Sequence, residues 1–269
     1  ETVPVSDFPG QQNWGYDGVL PFSPDSNYGH PDDLKALIDA AHSKGLMVFM
    51  DVVYNHFGPE GNYLYVYAKD FFNTAVETPW GAAINFDGPK SEIVRAFFIY
   101  NALFWLEEYH LDGLRFDAVH SIHDTSEPHI LEEIATTIKK AFYPVRDIHL
   151  LLENADNEAA WLKKHYQAQW NDDAHHAFHI ALTGEEDGYY QDYSSKETKQ
   201  ESSEFIGKAL AEGFIYQGQP SFFHNNTPRG ESTKDLSPLA FINFLQNHDQ
   251  IGNRAFGERL TTLCDEQQL

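Results

Sequence analysis

The chain has 269 residues, which is long enough for one large domain or two small ones. Its hydrophobic content of 42%, with 14% aromatic residues, can build a sizeable core and excludes a globally disordered chain. The 18 Lys and Arg residues against 41 Asp and Glu give a net charge of −23, which argues against nucleic acid, an anionic membrane or a strongly anionic substrate and favours a neutral ligand.

The sequence carries one cysteine, Cys264, so an intrachain disulfide is excluded. No run of residues approaches the length and apolarity of a membrane span, and the first residues lack the pattern of a signal peptide. We therefore expect a cytoplasmic protein with no membrane partner.

Apolar strands alternate with helical patterns along the chain. Residues 30–45 predict a helix, because Pro31 suits a first helical position, acidic residues follow it and Gly45 ends the pattern. Residues 57–90 lack a sustained period and predict a long loop or a small inserted subdomain. Helices are also predicted over 91–110 and 127–141, and strands over LMVFMDV, LDGLRFD, HLLLEN, YQAQWND and LAFINFLQNHD. This alternation predicts a parallel sheet, either open or closed into a barrel.

Polar residues gather where four of these strands end. They are Asp51, Asn55 and His56; Arg115, Asp117 and His120; Glu153; and Asn247, His248 and Asp249. An acidic residue at one strand end is usually a helix cap, but polar residues at four strand ends are more simply explained by one shared site. In a (β/α)8 barrel the active site collects side chains from the carboxyl ends of several strands, so the pattern favours the barrel.

Carboxylates from separate strands suit glycoside hydrolysis. That reaction uses one carboxylate as nucleophile and a second carboxyl group, with a raised pKa, as general acid. Arg115 stands two residues before Asp117, on the same face of the strand, and would hold that carboxylate ionised. His56 and His248 can donate hydrogen bonds to sugar hydroxyls, and no cofactor is required. This chemistry does not distinguish water from a second sugar as the acceptor.

Metal-assisted hydrolysis is the competing reaction. The possible ligands are His56, Asp117, His120, Glu153, His248 and Asp249, and the stretch DDAHHAFH adds His175, His176 and His179. An HExxH motif is absent, and a cluster that contains Arg115 is poorly suited to a cation. We therefore predict no metal ligands, and we expect the histidines of 175–179 to be structural or to face the substrate.

The stretches DVVYNH, GLRFDAVH, LLEN and FLQNHD resemble, in order and spacing, the four signature regions of the α-amylase superfamily, glycoside hydrolase family 13. The resemblance implies that Asp117 is the nucleophile, Glu153 the general acid/base and Asp249 a carboxylate that stabilises the transition state. Further residues are implied to contact the substrate: Tyr16, His56, Arg115, His120 and His248. Retention predicts that the carboxyl groups of Asp117 and Glu153 lie about 5–5.5 Å apart.

Within that family, stretches such as TPWGAAINFD, QWNDDAHHAFH and FLQNHDQIGNRAFGERL resemble enzymes that release trehalose from maltooligosyl trehalose. The implied reaction is retaining hydrolysis of the α-1,4 bond next to the trehalose end, on a neutral α-glucan oligosaccharide. A 1,4-α-glucan branching enzyme, or another α-glucan-active amylase-type enzyme, is the first alternative. An inactive carbohydrate-binding fragment is the second.

We predict an α/β fold in which residues 1–269 form a single, partial (β/α)8 TIM-barrel catalytic domain, with the 57–90 insertion after the third strand. The stretch GVLPF is interpreted as the second barrel strand, with no strand before it, and LAFINFLQNHD as the seventh. The first and eighth strands would then be missing. We accordingly expect little trehalose release from residues 1–269 alone, since an open barrel leaves unpaired strand edges.

Overall fold

The structure is a computed structural model that describes residues 1–265 and residue 267. The chain divides into two compact units. The first unit contains Glu1–Glu153 and His165–Gln167, and the second contains Asn154–Lys164 and the described residues from Ala168 onward. Among the helices of the described residues, none combines the length and the apolar character needed to cross a bilayer.

The first unit is built from short strands and longer helices. Its strands are β1 (Ser6–Asp7), β2 (Leu20–Pro24), β3 (Phe49–Val52), β4 (Phe72–Thr78), β5 (Gly81–Ile84), β6 (Gly113–Phe116) and β7 (His149–Leu152). Its α-helices are α1 (Pro31–His42), α2 (Leu64–Tyr67), α3 (Ser91–Glu108) and α4 (Ile130–Phe142). Short 3-10 turns cover Ser26–Tyr28, Lys69–Phe71 and Val119–Ser121.

Strand β6 lies between β3 and β7, and both pairings are parallel. Helix α3 precedes β6 and α4 connects β6 to β7, which confirms the predicted alternation of strands and helices. Every residue of β6 is buried, as expected for a strand covered on both faces. Gly113 permits this close packing, because a Cβ atom there would lie 2.3 Å from the carbonyl oxygen of His149.

Helix α1 begins as the sequence predicts, whereas α4 begins at Ile130 rather than at residue 127. At α1, the His30 side chain accepts a hydrogen bond from the Asp32 amide, Asp33 completes a capping box and Pro31 occupies the first turn. Helix α4 buries an apolar stripe at helical spacing, formed by Ile130, Leu131, Ile134, Ala135 and Ile138.

The assignment of GVLPF as the second strand of the parallel sheet is wrong. Strand β2 pairs antiparallel with β1, so it does not extend the parallel arrangement. The parallel neighbour of β3 on that side is Thr2, which forms a bridge with Met50. The Thr2 amide donates to the Phe49 carbonyl at 2.9 Å, and the Asp51 amide donates to the Thr2 carbonyl at 3.2 Å. A single bridging residue carries no periodicity that a sequence pattern could reveal. The lack of a first and an eighth strand stays a prediction.

The segment predicted as a loop or inserted subdomain contains regular structure of its own. Strands β4 and β5 form an antiparallel hairpin with a register shift between Asn73 and Glu77, and α2 precedes it. The irregular register explains why residues 57–90 show no sustained period.

The second unit contains short strands and two helices that pack on each other. Its strands are β8 (Ala168–Trp170), β9 (Gln219–Ser221), β10 (Thr227–Arg229) and β11 (Phe241–Ile242). Its α-helices are α5 (Ala159–Lys164), α6 (Asp172–Thr183), α7 (Ser195–Thr198), α8 (Ser202–Glu212), α9 (His248–Gly252) and α10 (Leu260–Leu263), with 3-10 turns at Gly188–Tyr193 and Pro238–Ala240. Strands β8 and β11 pair in parallel, and β9 pairs antiparallel with β10. Helix α6 packs on α8 through a core that includes Ala174, Ala177, Phe205 and Ala209.

Candidate active site

Arg115 is the centre of a cluster of carboxylates in the first unit. Its side chain is fully buried on β6, and one terminal nitrogen lies 2.7 Å from Asp51 and 3.0 Å from Asp117. The other terminal nitrogen lies 2.8 Å from Glu153. One carboxylate lies within β3, one follows β6 and one follows β7, and all three contact the same guanidinium. The proximity predicted for Asp117, Arg115 and Glu153 is therefore present, whereas their catalytic roles and the carboxyl separation stay predictions.

The carboxyl groups of this cluster differ in acidity. Burial and the negative charge of Glu153 raise the pKa of Asp117 well above its usual range, although Arg115 opposes the shift. Burial also acts to raise the pKa of Glu153, but Arg115, the Ala118 amide and a hydrogen bond with Asp117 together lower it. Burial raises the pKa of Asp51 to about 7 despite Arg115 and Tyr16. The surroundings therefore favour the neutral form of Asp117 and the charged form of Glu153.

The backbone after β6 adopts an unusual conformation. Ala118 has a φ of 40° and a ψ of 51°, in the left-handed region that residues with a Cβ atom rarely occupy. Its amide donates to Glu153 at 2.8 Å, and the Asp117 amide donates to the Val52 carbonyl at 3.0 Å. Left-handed backbone at a non-glycine residue costs about 1–3 kcal/mol and persists where surrounding contacts enforce it. Here those contacts direct a backbone donor at the Glu153 carboxyl group.

Asn55, in the segment after β3, also contacts Asp117. The Asn55 amide group donates to the Asp117 carboxylate at 2.9 Å and to its backbone carbonyl at 2.8 Å. Asn55 also hydrogen-bonds the Nδ1 atom of His56, a buried side chain whose pKa is lowered by burial. The His56 ring stacks on Trp80 with 4.4 Å between centroids, and Trp80 is 44% exposed. The imidazole that hydrogen-bonds Asn55 is therefore favoured in its neutral form and is stacked on an exposed indole.

Tyr16 and His120 complete the predicted substrate contacts of the first unit. The Tyr16 hydroxyl donates to Asp51 at 2.7 Å, so its ring is anchored to the carboxylate cluster. His120 is exposed on the turn after Ala118 and contributes to lowering the pKa of Glu153. Whether either side chain contacts a sugar stays a prediction.

The remaining predicted residues, His248 and Asp249, lie in the second unit. They begin α9, where Asn247 caps the first turn by accepting from the Asp249 amide at 2.9 Å. The Asp249 side chain is 41% exposed and lies 3.5 Å from the His248 imidazole. The His248 ring contacts Trp170 at 6.2 Å between centroids. An accessible carboxylate is thus available at the start of this helix.

The histidines of α6 are packed in the second unit. His175 and His179 are buried, and burial lowers the pKa of His175 to about 4 and that of His176 well below its usual range. Within residues 1–265 and 267, no group of three or more His, Cys, Asp or Glu side chains is arranged to hold a metal ion. The alternative of metal-assisted hydrolysis gains no support from the described side chains.

The sequence pattern marks Asp51 and Asn55 as strand-end residues but predicts no role for them in the site. The structure places Asp51 against Arg115 and Tyr16, and Asn55 against Asp117. The four-residue spacing of the two at the end of one apolar run was the available signal. The Ala118 amide left no signal, because a backbone donor is independent of side-chain identity.

The chain is similar to proteins of known family. Residues 3–77 match the Alpha-amylase family, described as the alpha amylase catalytic domain. Malto-oligosyltrehalose trehalohydrolase from Saccharolobus solfataricus is 42% identical over 273 residues, which cover 99% of this chain and 46% of that protein. The protein of the same name from Deinococcus radiodurans is 41% identical over 263 residues, covering 97% of this chain and 42% of that protein.

A solved structure is also similar to this chain. The crystal structure of a candidate alpha amylase from Salmonella typhimurium superposes with a TM-score of 0.91 at 46% identity, covering 98% of this chain and 45% of that one. The chain therefore spans less than half the length of the relatives that it matches. Its fold is the α/β TIM-barrel type, and the chain belongs to the α-amylase family.

Proposed function

We propose that the protein is a retaining glycoside hydrolase that cleaves the α-1,4-glucosidic bond next to the trehalose end of maltooligosyl trehalose. The observation that carries the proposal is the shared guanidinium of Arg115, which contacts Asp117 at 3.0 Å and Glu153 at 2.8 Å through different nitrogens. Double displacement at an anomeric carbon needs two carboxyl groups about 5–5.5 Å apart, and the shared guanidinium holds two carboxyl groups in one site.

In the first step, an oxygen of Asp117 forms a bond to the anomeric carbon while the glycosidic carbon–oxygen bond breaks. Glu153 transfers its proton to the departing oxygen, so trehalose leaves with a new hydroxyl group. In the second step, Glu153 removes a proton from water, whose oxygen attacks the same carbon and releases Asp117. The α configuration is therefore retained, and no cofactor takes part.

The reaction needs an ionised Asp117 and a protonated Glu153, which is the reverse of the pKa directions in the free site. A bound sugar would change the protonation state that each of the two carboxyl groups favours. The Glu153 side chain is 18% exposed, and a glycosidic oxygen beside it would exclude water and favour its neutral form. Asp117 would keep the Asn55 amide and Arg115, both of which stabilise its charged form. The proposed reaction therefore requires that a bound sugar favour the charged form of Asp117 and the neutral form of Glu153.

The substrate assignment rests on similarity and on charge. The relatives at 41–42% identity are named malto-oligosyltrehalose trehalohydrolases, and a net charge of −23 suits a neutral oligosaccharide. Exposed Trp80, beside the neutral imidazole of His56, offers an apolar face for a pyranose ring. By resemblance, Asp249 would stabilise the transition state, and Tyr16, His120 and His248 would contact the sugar.

A product analysis tests this proposal. We expect the full-length protein, incubated with maltooligosyl trehalose, to release trehalose and a maltooligosaccharide, and Asp117→Asn to release neither. Formation of α-1,6 linkages from a linear glucan would instead favour the branching enzyme, which is a weaker match at 41% identity over 45% of this chain. Sugar binding without turnover would favour an inactive carbohydrate-binding protein.

A further inference from the structure

Helix α6 carries two buried histidines one turn apart, His175 and His179, and the proposed reaction does not use either of them. Hydrogen bonds and an ion pair connect each histidine to the segment that carries Asp249. One set of these contacts reaches the chain before Asp249 and the other reaches the chain after it. Both lie within the second unit.

The contact before Asp249 is direct. The Nδ1 atom of His175 lies 2.6 Å from the Leu245 carbonyl, four residues before Asp249. A carbonyl can only accept, so Nδ1 carries the proton and Nε2 accepts from the Tyr190 hydroxyl at 3.1 Å. Because burial lowers the pKa of His175 to about 4, the ring stays neutral and keeps this arrangement at neutral pH.

The contact after Asp249 is relayed through an ion pair. The Nε2 atom of His179 lies 2.8 Å from Glu185. The Glu185 carboxylate also accepts hydrogen bonds from both terminal nitrogens of Arg254, at 2.8 and 3.0 Å. Arg254 stands five residues after Asp249. Hydrogen bonds from Arg254, and then from His179, lower the pKa of Glu185 to about 2 against the effect of burial, so the carboxylate is ionised. A bidentate Arg–carboxylate pair fixes orientation as well as distance.

Helix α9 needs such support. It has five residues, its capping box joins Asn247 to Gln250, and the Asp249 side chain is 41% exposed. A helix this short is not stable by its own hydrogen bonds. The direction in which Asp249 points therefore depends on the anchoring of the chain on either side of α9.

We propose that Glu185 and Arg254, backed by His179, are positioning residues for Asp249. The inference rests on the proposed function, in which Asp249 stabilises the transition state. Arg254 does not contact the substrate in this account; it holds the carboxylate in place. A displacement of about 1 Å at a reacting group can lower a rate on the order of 100-fold.

The test compares Arg254→Gln with Arg254→Lys and with Lys196→Gln. Lys196, whose side chain is exposed, pairs with the largely buried Glu186 at 2.6 Å and therefore controls for loss of an ion pair elsewhere in the same unit. We expect Arg254→Gln to lower kcat for trehalose release by about 10- to 100-fold with little change in KM. Arg254→Lys should recover part of the loss, and Lys196→Gln should match the wild type.

Two measurements separate positioning from general stability. In an Asp249→Asn background, Arg254→Gln should lower kcat by less than about twofold, because the carboxylate that it positions is already gone. Amide hydrogen exchange over residues 247–251 should rise in Arg254→Gln and not in Lys196→Gln. Additive losses of kcat, or unchanged exchange, would overturn the inference. A full-length wild-type protein that releases no trehalose would refute the proposed function instead, and the exchange result would still decide whether Arg254 holds α9.

Discussion

Replacing Arg115 with methionine should destabilise the first unit in a pH-dependent way. The guanidinium is fully buried and contacts Asp51, Asp117 and Glu153 at 2.7, 3.0 and 2.8 Å. Removing one partner of a buried ion pair typically costs about 3–5 kcal/mol, because the remaining charge is left unpaired. We expect a loss of that size in the free energy of unfolding at pH 7.

The sign of the pH dependence follows from Glu153. In the wild type Arg115 holds the pKa of Glu153 below its usual range, whereas without Arg115 burial should raise it. A group whose pKa is raised on folding stabilises the fold below its unfolded pKa and loses that contribution as the pH rises through its folded pKa. The deficit of Arg115→Met should therefore shrink as the pH falls from 7 to 5, by about 1.4 kcal/mol per pH unit for one additional bound proton.

The assay is urea unfolding at pH 7 and pH 5, followed by tryptophan fluorescence, which includes the fully buried Trp105 of the first unit. Arg95→Met is the matched control, because Arg95 lies 2.8 Å from the buried Asp124. Hydrogen bonds from the Ser126 hydroxyl and from the Ser126 and Ile130 amides also lower the pKa of Asp124, against burial, and they would remain. The deficit of the control should not shrink at pH 5. Equal pH dependence in both variants, or a loss below about 1 kcal/mol for Arg115→Met, would show that Arg115 does not hold the buried Glu153 ionised.

Further predictions concern catalysis, metals and the second unit. Asp117→Asn should lower turnover on the order of 10⁴-fold or more with little change in Tm, and near-normal activity would exclude it as the nucleophile. Activity should survive dialysis against a chelator, whereas a loss that one metal ion restores would favour the metal alternative. Asp173→Ala should cost about 3–5 kcal/mol in urea unfolding, because buried Arg229 loses its partner at 2.8 Å. A loss below about 1 kcal/mol would show that Arg229 is stabilised by other contacts.

The parallel strands and the carboxylates at their ends were predictable because both leave strong local signals. Buried parallel strands form continuous apolar runs, and a charged residue that ends such a run is conspicuous. Asp117 and Glu153 were therefore found from sequence, and the structure brings both to Arg115.

Other features depend on tertiary contacts that no short sequence pattern encodes. Thr2 pairs with Met50 through a single bridge, and β2 turns back on β1 rather than joining the parallel strands. The opposite pKa shifts of Asp117 and Glu153 result from burial and from the way one guanidinium is shared. The left-handed backbone of Ala118 is likewise imposed by its surroundings.

The proposed mechanism requires that Asp117, and not Glu153, form the bond to the sugar. A fluorinated glycosyl fluoride that reacts in the first step but slows the second would trap that bond, and peptide mapping by mass spectrometry would locate it. We predict one added glycosyl group per chain, on Asp117, and no labelling of Asp117→Asn. A label on Glu153, or turnover that yields the inverted anomer with no covalent label, would exclude Asp117 as the nucleophile.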